Sequence, residues 1–210
     1  MRNPLEQELP QFNKYYDQLD KLAHLVEEKS KEINITAIRD YEQIWKKHIL
    51  DSLMCSKIPL IELRLTDSKV LDLGTGGGFP GLPLAITHPN SKFVLLDSTR
   101  KKLDVVNEFA HFTEAKNVET KWGRSNELIK ELGGTFDIVV ARGVAFLPEL
   151  IAICMPFIKK DGLLVFYKQI DDSEIEAGEI EAKKHDLVLK KKFGYELDGS
   201  SRMILVYATA

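Results

Sequence analysis

The sequence predicts an α/β fold: a doubly wound, mostly parallel sheet that ends in an antiparallel hairpin, with a helical extension in front of it. Three observations carry this expectation. From Lys69 onward, short apolar runs alternate with helical segments, the pattern of βαβ units on a parallel sheet. Before Lys69, apolar residues recur only at helical spacing. After the fifth run, two extended segments flank the turn-forming stretch Tyr195-Glu196-Leu197-Asp198-Gly199.

Taken in order, Leu9, Phe12, Tyr16, Leu19, Leu22, Ala23 and Val26 step by three or four, so about the first thirty residues are expected as one amphipathic helix with Pro10 in its first turn. A polar break at Asn34-Ile35-Thr36 precedes a second stripe, Tyr41, Ile44, Trp45, His48, Ile49, Ser52 and Leu53, with Asp40 as N-cap. Strands follow at Val70–Leu73, Phe93–Leu96, Val118–Trp122, Phe136–Ala141 and Leu163–Tyr167. Helices fall between them around Leu82–Thr87, Arg100–Thr113, Asn126–Leu132 and Phe146–Ile158, and the right-handed crossover rule winds them onto both faces of the sheet. An acidic helix, Ser173–Lys184, leads into the hairpin of Leu187–Phe193 and Met203–Ala208. Residues 1–65 are thus expected as a helical extension packed on the core, and residues 66–210 as the α/β domain.

With 44% hydrophobic and 29% charged residues, the composition is globular rather than disordered or fibrous. No apolar run approaches the roughly 20 residues of a membrane helix, and the N-terminus lacks the profile of a signal peptide, so a cytoplasmic location without a membrane partner is expected. Cys55 and Cys154 are too few for a disulfide framework or a cysteine-based metal site; both fall on helix faces and are expected in the core. Net charge is −3, from 29 basic and 32 acidic residues, which at face value argues against a nucleic-acid partner.

The strongest motif is Asp72-Leu73-Gly74-Thr75-Gly76-Gly77-Gly78-Phe79-Pro80-Gly81, directly after the first strand and before a helix. In an open parallel sheet this is the carboxyl-edge crevice, where glycines let the backbone approach a ligand. Gly76-x-Gly78-x-x-Gly81 formally matches a dinucleotide fingerprint, which would make the protein an NAD-dependent oxidoreductase. The register disfavours it, because Gly74, not Gly76, follows the strand. Asp72 also would repel a pyrophosphate yet attract the cationic amino-acid group of S-adenosylmethionine. Asp97 ends the second strand near the spacing at which an acidic residue meets a ribose; an N-cap for the next helix is its other reading.

Methyl transfer mainly requires two reactants to be positioned, and a base is needed only if the acceptor carries a proton. The end of the fourth strand, Asp137-Ile138-Val139-Val140-Ala141-Arg142-Gly143-Val144, has neither an Asn/Asp-Pro-Pro-aromatic clamp nor a Pro-Cys nucleophile. A target with an unprotonated lone pair, such as a purine ring nitrogen, would need no base. Arg142 stands there as a lone cation able to hold a cofactor carboxylate, a phosphate or a guanine edge, or else to form a surface ion pair.

The same residues, with Asn34-Ile35-Thr36-Ala37-Ile38, His48-Ile49-Leu50-Asp51-Ser52, Pro80-Gly81-Leu82-Pro83-Leu84, Leu95-Leu96-Asp97-Ser98, Gly123-Arg124 and Lys168, resemble a known family over nearly the whole chain. It is bacterial small-subunit ribosomal RNA methyltransferase G, also called glucose-inhibited division protein B. The resemblance implies a Rossmann-like class I S-adenosylmethionine-dependent methyltransferase that methylates N7 of a guanine in 16S rRNA, alone or in the small subunit; a monomer is expected. Carried over by position, it implies that Gly74 and Phe79 line the cofactor, that Ser125-Asn126 meets the adenine through its backbone, and that Arg142 completes the site as the catalytic residue; the loop and strand-end reading adds Asp72, Gly76 and Asp97 as cofactor-binding residues. Lys168 and His48 would face the substrate. The chain departs from the family with Ser125-Asn126 for Ala-Glu, Ala141-Arg142-Gly143 for Ser-Arg-Ala and Lys168-Gln169 for Lys-Gly. A vestigial cofactor fold serving a non-catalytic RNA-binding assembly factor is the alternative of another class.

His48, Asp51 and Ser52 share one helix face, either at the rim of the cleft or as a tie between the extension and the core. One His and one Asp do not fill a coordination shell, so no metal is expected. The charge objection also resolves along the chain. Asp171, Asp172, Glu174, Glu176, Glu179 and Glu181 carry six acidic charges with no basic residue among them, so the net −3 becomes +3 for the remainder. An acidic helix placed away from the cleft leaves that remainder free to meet phosphates.

Overall fold

The computed structural model describes residues 3–169 and 171–209; the outer limits of the two expected units, residues 1 and 210, lie outside them. Seven strands form one sheet: β1 (Lys69–Leu73), β2 (Lys92–Asp97), β3 (Val118–Trp122), β4 (Phe136–Arg142), β5 (Ile158–Gln169), β6 (Leu187–Leu197) and β7 (Ser200–Thr209). Their order is β3-β2-β1-β4-β5-β7-β6. The first five run parallel, and β7 inserts antiparallel between β5 and β6. The expected doubly wound sheet and closing hairpin are both present. Strand order reverses between β1 and β4, which opens a crevice at their carboxyl ends.

Successive residues of each strand serve opposite faces, so the core divides in two. Val70, Leu95, Ile138 and Val140 pack on one face with Leu19, Leu22 and Trp45 of the extension. Leu71, Val139 and Phe166 pack on the other with Leu147, Ile151 and Cys154. Both cysteines are buried and free, as expected. The helical extension thus covers one face of the sheet beside α6 (Gly81–Thr87) and α7 (Arg100–Phe112), counted after α1 to α5 below.

Two prolines cut helices that apolar spacing alone extends. The single helix expected over the first thirty residues is α1 (Leu5–Glu8), a 3-10 segment (Pro10–Tyr15) and α2 (Tyr16–Glu32). Leu9, at φ −146° and ψ 60°, breaks the run, because proline excludes its predecessor from the helical region and lacks an N–H of its own. The second stripe forms as expected, with Asp40 accepting from the Gln43 N–H at 3.0 Å. It runs as α3 (Tyr41–Ile44), a π-turn (Trp45–Leu50) and α4 (Asp51–Leu53), and a short α5 (Pro59–Arg64) follows. Beyond α7 come α8 (Ser125–Leu132), α9 (Leu147–Cys154) and the acidic α10 (Asp172–Lys184). The helix expected to reach Ile158 stops at Cys154 ahead of Pro156, and Ile158 already opens β5. In the hairpin, Asp198 and Gly199 take φ of +50° and +72°, a two-residue turn that lengthens both strands past the expected limits.

Candidate functional site

The loop from Gly74 to Pro80 turns back over the carboxyl end of β1, and hydrogen bonds from both of its flanks hold it. Leu96 O accepts from Gly74 N at 2.8 Å and Thr75 N at 3.0 Å. Asp72 Oδ2 accepts from Thr75 Oγ1 at 2.6 Å and from the Gly81 N–H at 2.8 Å. Only glycine allows that closure, since a Cβ on residue 81 would lie 2.2 Å from Leu95 Cδ2 and 2.7 Å from the Asp72 carboxylate. Burial pushes the Asp72 carboxyl up to about 6 despite these donors. Asp97 holds the loop at Gly76: its Oδ2 accepts from Gly76 N at 2.9 Å and its Oδ1 from Thr99 N at 2.8 Å. Each Asp97 oxygen keeps a lone pair for a further donor.

A cleft of about 710 Å³ opens above this framework, at the sheet edge where such folds bind ligands. Gly74, Gly76, Phe79, Asp97, Ser125, Asn126, Arg142 and His48 line it, so the structure brings eight of the ten expected residues together. Asp72 and Lys168 stand outside. Asp72 is fully buried beneath the loop and serves its closure, while the Lys168 ammonium is held by Ala145 O at 3.0 Å and by the Glu174 carboxylate. A second cavity, of about 650 Å³, lies at the opposite sheet edge near Tyr15 and Phe93. The Asn117 amide there is spent on the carbonyls of Ala85, His88 and Ser91, a structural duty.

Arg142 is not the lone cation that the sequence suggests. Its Nη1 donates to Asp51 Oδ2 at 2.8 Å and to Lys47 O at 3.2 Å, and its Nη2 approaches His48 Nδ1 at 3.3 Å. Asp51 is buried and accepts a further bond from the Tyr195 hydroxyl at 2.6 Å. Arg142 therefore joins β4, the π-turn helix and the hairpin, and the ion pair is interior rather than superficial. The guanidinium also lies 5.6 Å from the centre of the Phe79 ring, against which His48 stacks at 4.7 Å. Burial and then the Arg142 charge hold His48 down to about 3, so it is neutral at physiological pH. Of the helix-face trio, His48 reaches the cleft, whereas Asp51 and Ser52 tie the extension to the sheet; Ser52 O accepts from Tyr167.

These residues divide the cleft chemically. Asp97 supplies acceptors at one end, suited to the two hydroxyls of a ribose, and Ser125 and Asn126 sit beside it at the start of α8. Arg142, His48 and Thr36 occupy the other end. A Cβ at Gly76 or Gly143 would meet nothing within 4 Å, so the backbone at both positions borders open space that a ligand can fill. This combination of an acceptor end, a glycine cradle and a donor end fits S-adenosylmethionine, which has a ribose and an amino-acid carboxylate and no phosphate. Thr36, which the sequence places only in a polar break, also lines the cleft, because its role depends on contacts with the distant His48 rather than on a local pattern.

Residues 15–198 match the family model described as rRNA small subunit methyltransferase G. A ribosomal RNA small subunit methyltransferase G from Lachnoclostridium phytofermentans is 40% identical over 77% of this chain, which spans 63% of that relative's length. One from Clostridium novyi is 36% identical over 87% of this chain and 83% of its own. Among solved structures, M. jannaschii TYW2 in complex with AdoMet superposes with a TM-score of 0.57 at 16% identity, covering 72% of this chain and 74% of that one. At that identity the likeness speaks for the fold alone.

Proposed function

Because the chain belongs to the rRNA small subunit methyltransferase G family, we propose that it transfers the methyl group of S-adenosylmethionine to N7 of a guanine in the 16S rRNA of the small ribosomal subunit. The observation that carries this reading is the cleft itself, with the Asp97 carboxylate tied to Gly76 N at one end and the Arg142 guanidinium, paired with Asp51, at the other. When bound, the cofactor supplies an electrophilic methyl group on a sulfonium. Asp97 holds the ribose hydroxyls, and the backbone at Gly74 and Gly76 admits the chain that carries the sulfur. The start of α8, at Ser125 and Asn126, borders the adenine. Guanine N7 carries a lone pair and no proton, so the site needs no general base; neutral His48, its Nδ1 turned toward Arg142, is not called on to act as one. Rate enhancement then comes from holding two reactants in line. Asp51 neutralises Arg142, so the guanidinium orients its neighbours without adding net charge where the methylated base becomes cationic.

The protein acts in the cytoplasm, as a monomer. Among the described residues no helix is long and apolar enough to cross a membrane. The test is to delete the gene, map 7-methylguanosine in 16S rRNA, and add purified protein with S-adenosylmethionine to undermodified small subunits. One 7-methylguanosine is expected to disappear and return. An unchanged map, or calorimetric binding of NAD with no heat from S-adenosylmethionine, overturns the proposal in favour of the oxidoreductase or assembly-factor reading.

A further inference from the structure

A guanidinium has N–H groups and no acceptor, so the Arg142 Nη2 contact at 3.3 Å obliges His48 Nδ1 to accept. In the neutral ring the proton must then sit on Nε2. Nε2 lies 2.7 Å from Thr36 Oγ1, and with its proton placed there the imidazole donates and the hydroxyl accepts. Thr36 Oγ1 also accepts from the Ile38 N–H at 3.1 Å. Both of its lone pairs are now used, and among the described residues its own O–H meets no acceptor. Thr36 lines the cleft. Ile35, its neighbour, packs on the glycine loop so closely that a Cβ on Gly77 would come 2.6 Å from Ile35 Cγ2.

We propose that Thr36 is a cofactor-positioning residue whose hydroxyl, fixed as a donor by the chain Arg142 to His48 to Thr36, hydrogen-bonds the amino-acid carboxylate of S-adenosylmethionine. The inference rests on the methyltransferase reading above. This end of the cleft offers donors: with its bonds to Asp51, Lys47 and His48 made, Arg142 keeps its Nε–H and one Nη2–H, and the Asp51 carboxylate is turned to Arg142 and Tyr195. A carboxylate, which only accepts, is the part of the cofactor that matches such a surface. The neutral state of His48 keeps the relay in one sense, because a doubly protonated ring would set N–H against N–H at Arg142.

The experiment is calorimetric binding of S-adenosylhomocysteine and of its decarboxylated analogue to wild type, Thr36→Val and Thr36→Ser, with thermal melts to confirm folding. Thr36→Val is expected to weaken S-adenosylhomocysteine about 10-fold, the scale of one hydrogen bond to a charged group, and to leave the decarboxylated analogue unchanged. Thr36→Ser, which keeps the hydroxyl, restores binding to within about 2-fold. In parallel, ¹⁵N NMR of the wild-type His48 ring should report the Nε2–H tautomer. Equal weakening of both ligands overturns the proposal, as does failure of the serine variant to rescue. Unchanged cofactor binding with a raised KM for the ribosomal substrate also overturns it, since the hydroxyl would then serve the target base. Failure of the wild type to bind S-adenosylhomocysteine at all strikes the methyltransferase reading instead.

Discussion

His48 joins a titratable ring to a network that tolerates only its neutral form. The unfolded chain takes up a proton near the ordinary value of 6.5, whereas the native ring refuses it until about 3. The unfolded state therefore binds more protons in that window, and stability falls as pH drops from about 6.5 toward 3, by at most about 1.4 kcal/mol per pH unit for one group. Asp72 acts in the opposite sense between its ordinary 3.8 and about 6, so the wild-type profile alone is a mixture. Urea unfolding of wild type and His48→Gln between pH 4 and 7 separates them: the variant should lose less stability on acidification. Arg142 gives a second residue-scale expectation. Removing it strands the buried Asp51 carboxylate, so Arg142→Ala should cost about 3 kcal/mol of stability as well as activity. Adding Asp51→Asn to that variant should recover much of the stability and none of the methylation; recovery of both would reduce Arg142 to a structural tie.

Among the elements, most strands could be read directly, because four Val/Ile/Leu-rich runs separated by helical spacing have few other solutions; the edge strand Val118–Trp122, with one such residue, follows from its place between two helices. Helix ends could not be read from apolar spacing at Leu9 and Cys154, where a following proline overrode it. The glycine loop and Asp97 were visible as local motifs, whereas the wiring of the site was not. Arg142 meets Asp51 across 91 residues and Tyr195 meets Asp51 across 144, and such pairings depend on register and twist that no local pattern encodes. Docking of the hairpin on the extension is thus a tertiary property, reinforced by Lys47 on the Asp198 carboxylate at 3.2 Å. Tyr195→Phe tests it. Loss of the hydroxyl leaves one Asp51 oxygen without its donor and should cost about 1–3 kcal/mol, or several degrees in calorimetric melting. An unchanged melting temperature would mean that water substitutes for the phenol.

For the whole molecule, the question is how a chain of net charge −3 meets a polyanion. The acidic α10 packs against α9 and β6, no residue of it lines the cleft, and its Glu174 is turned inward to Leu147 N and Lys168. At the cleft's other flank Lys102 and Arg124 line the rim, and Arg100 lies 5.7 Å over the exposed ring of Trp122. Charge is therefore segregated, with basic residues bordering the cleft and the acidic helix away from it. Each phosphate neutralised releases condensed counterions, so affinity for small subunits should fall steeply as salt rises. Lys102→Ala and Arg124→Ala should each weaken that affinity and lower the slope of log K against log salt by about one. Glu176→Gln, on the exposed face of α10, should leave the slope where it was. If the glutamine variant shifts the slope as much as the rim variants do, the RNA senses net charge rather than a basic edge, and the segregation of charge is not what admits the substrate.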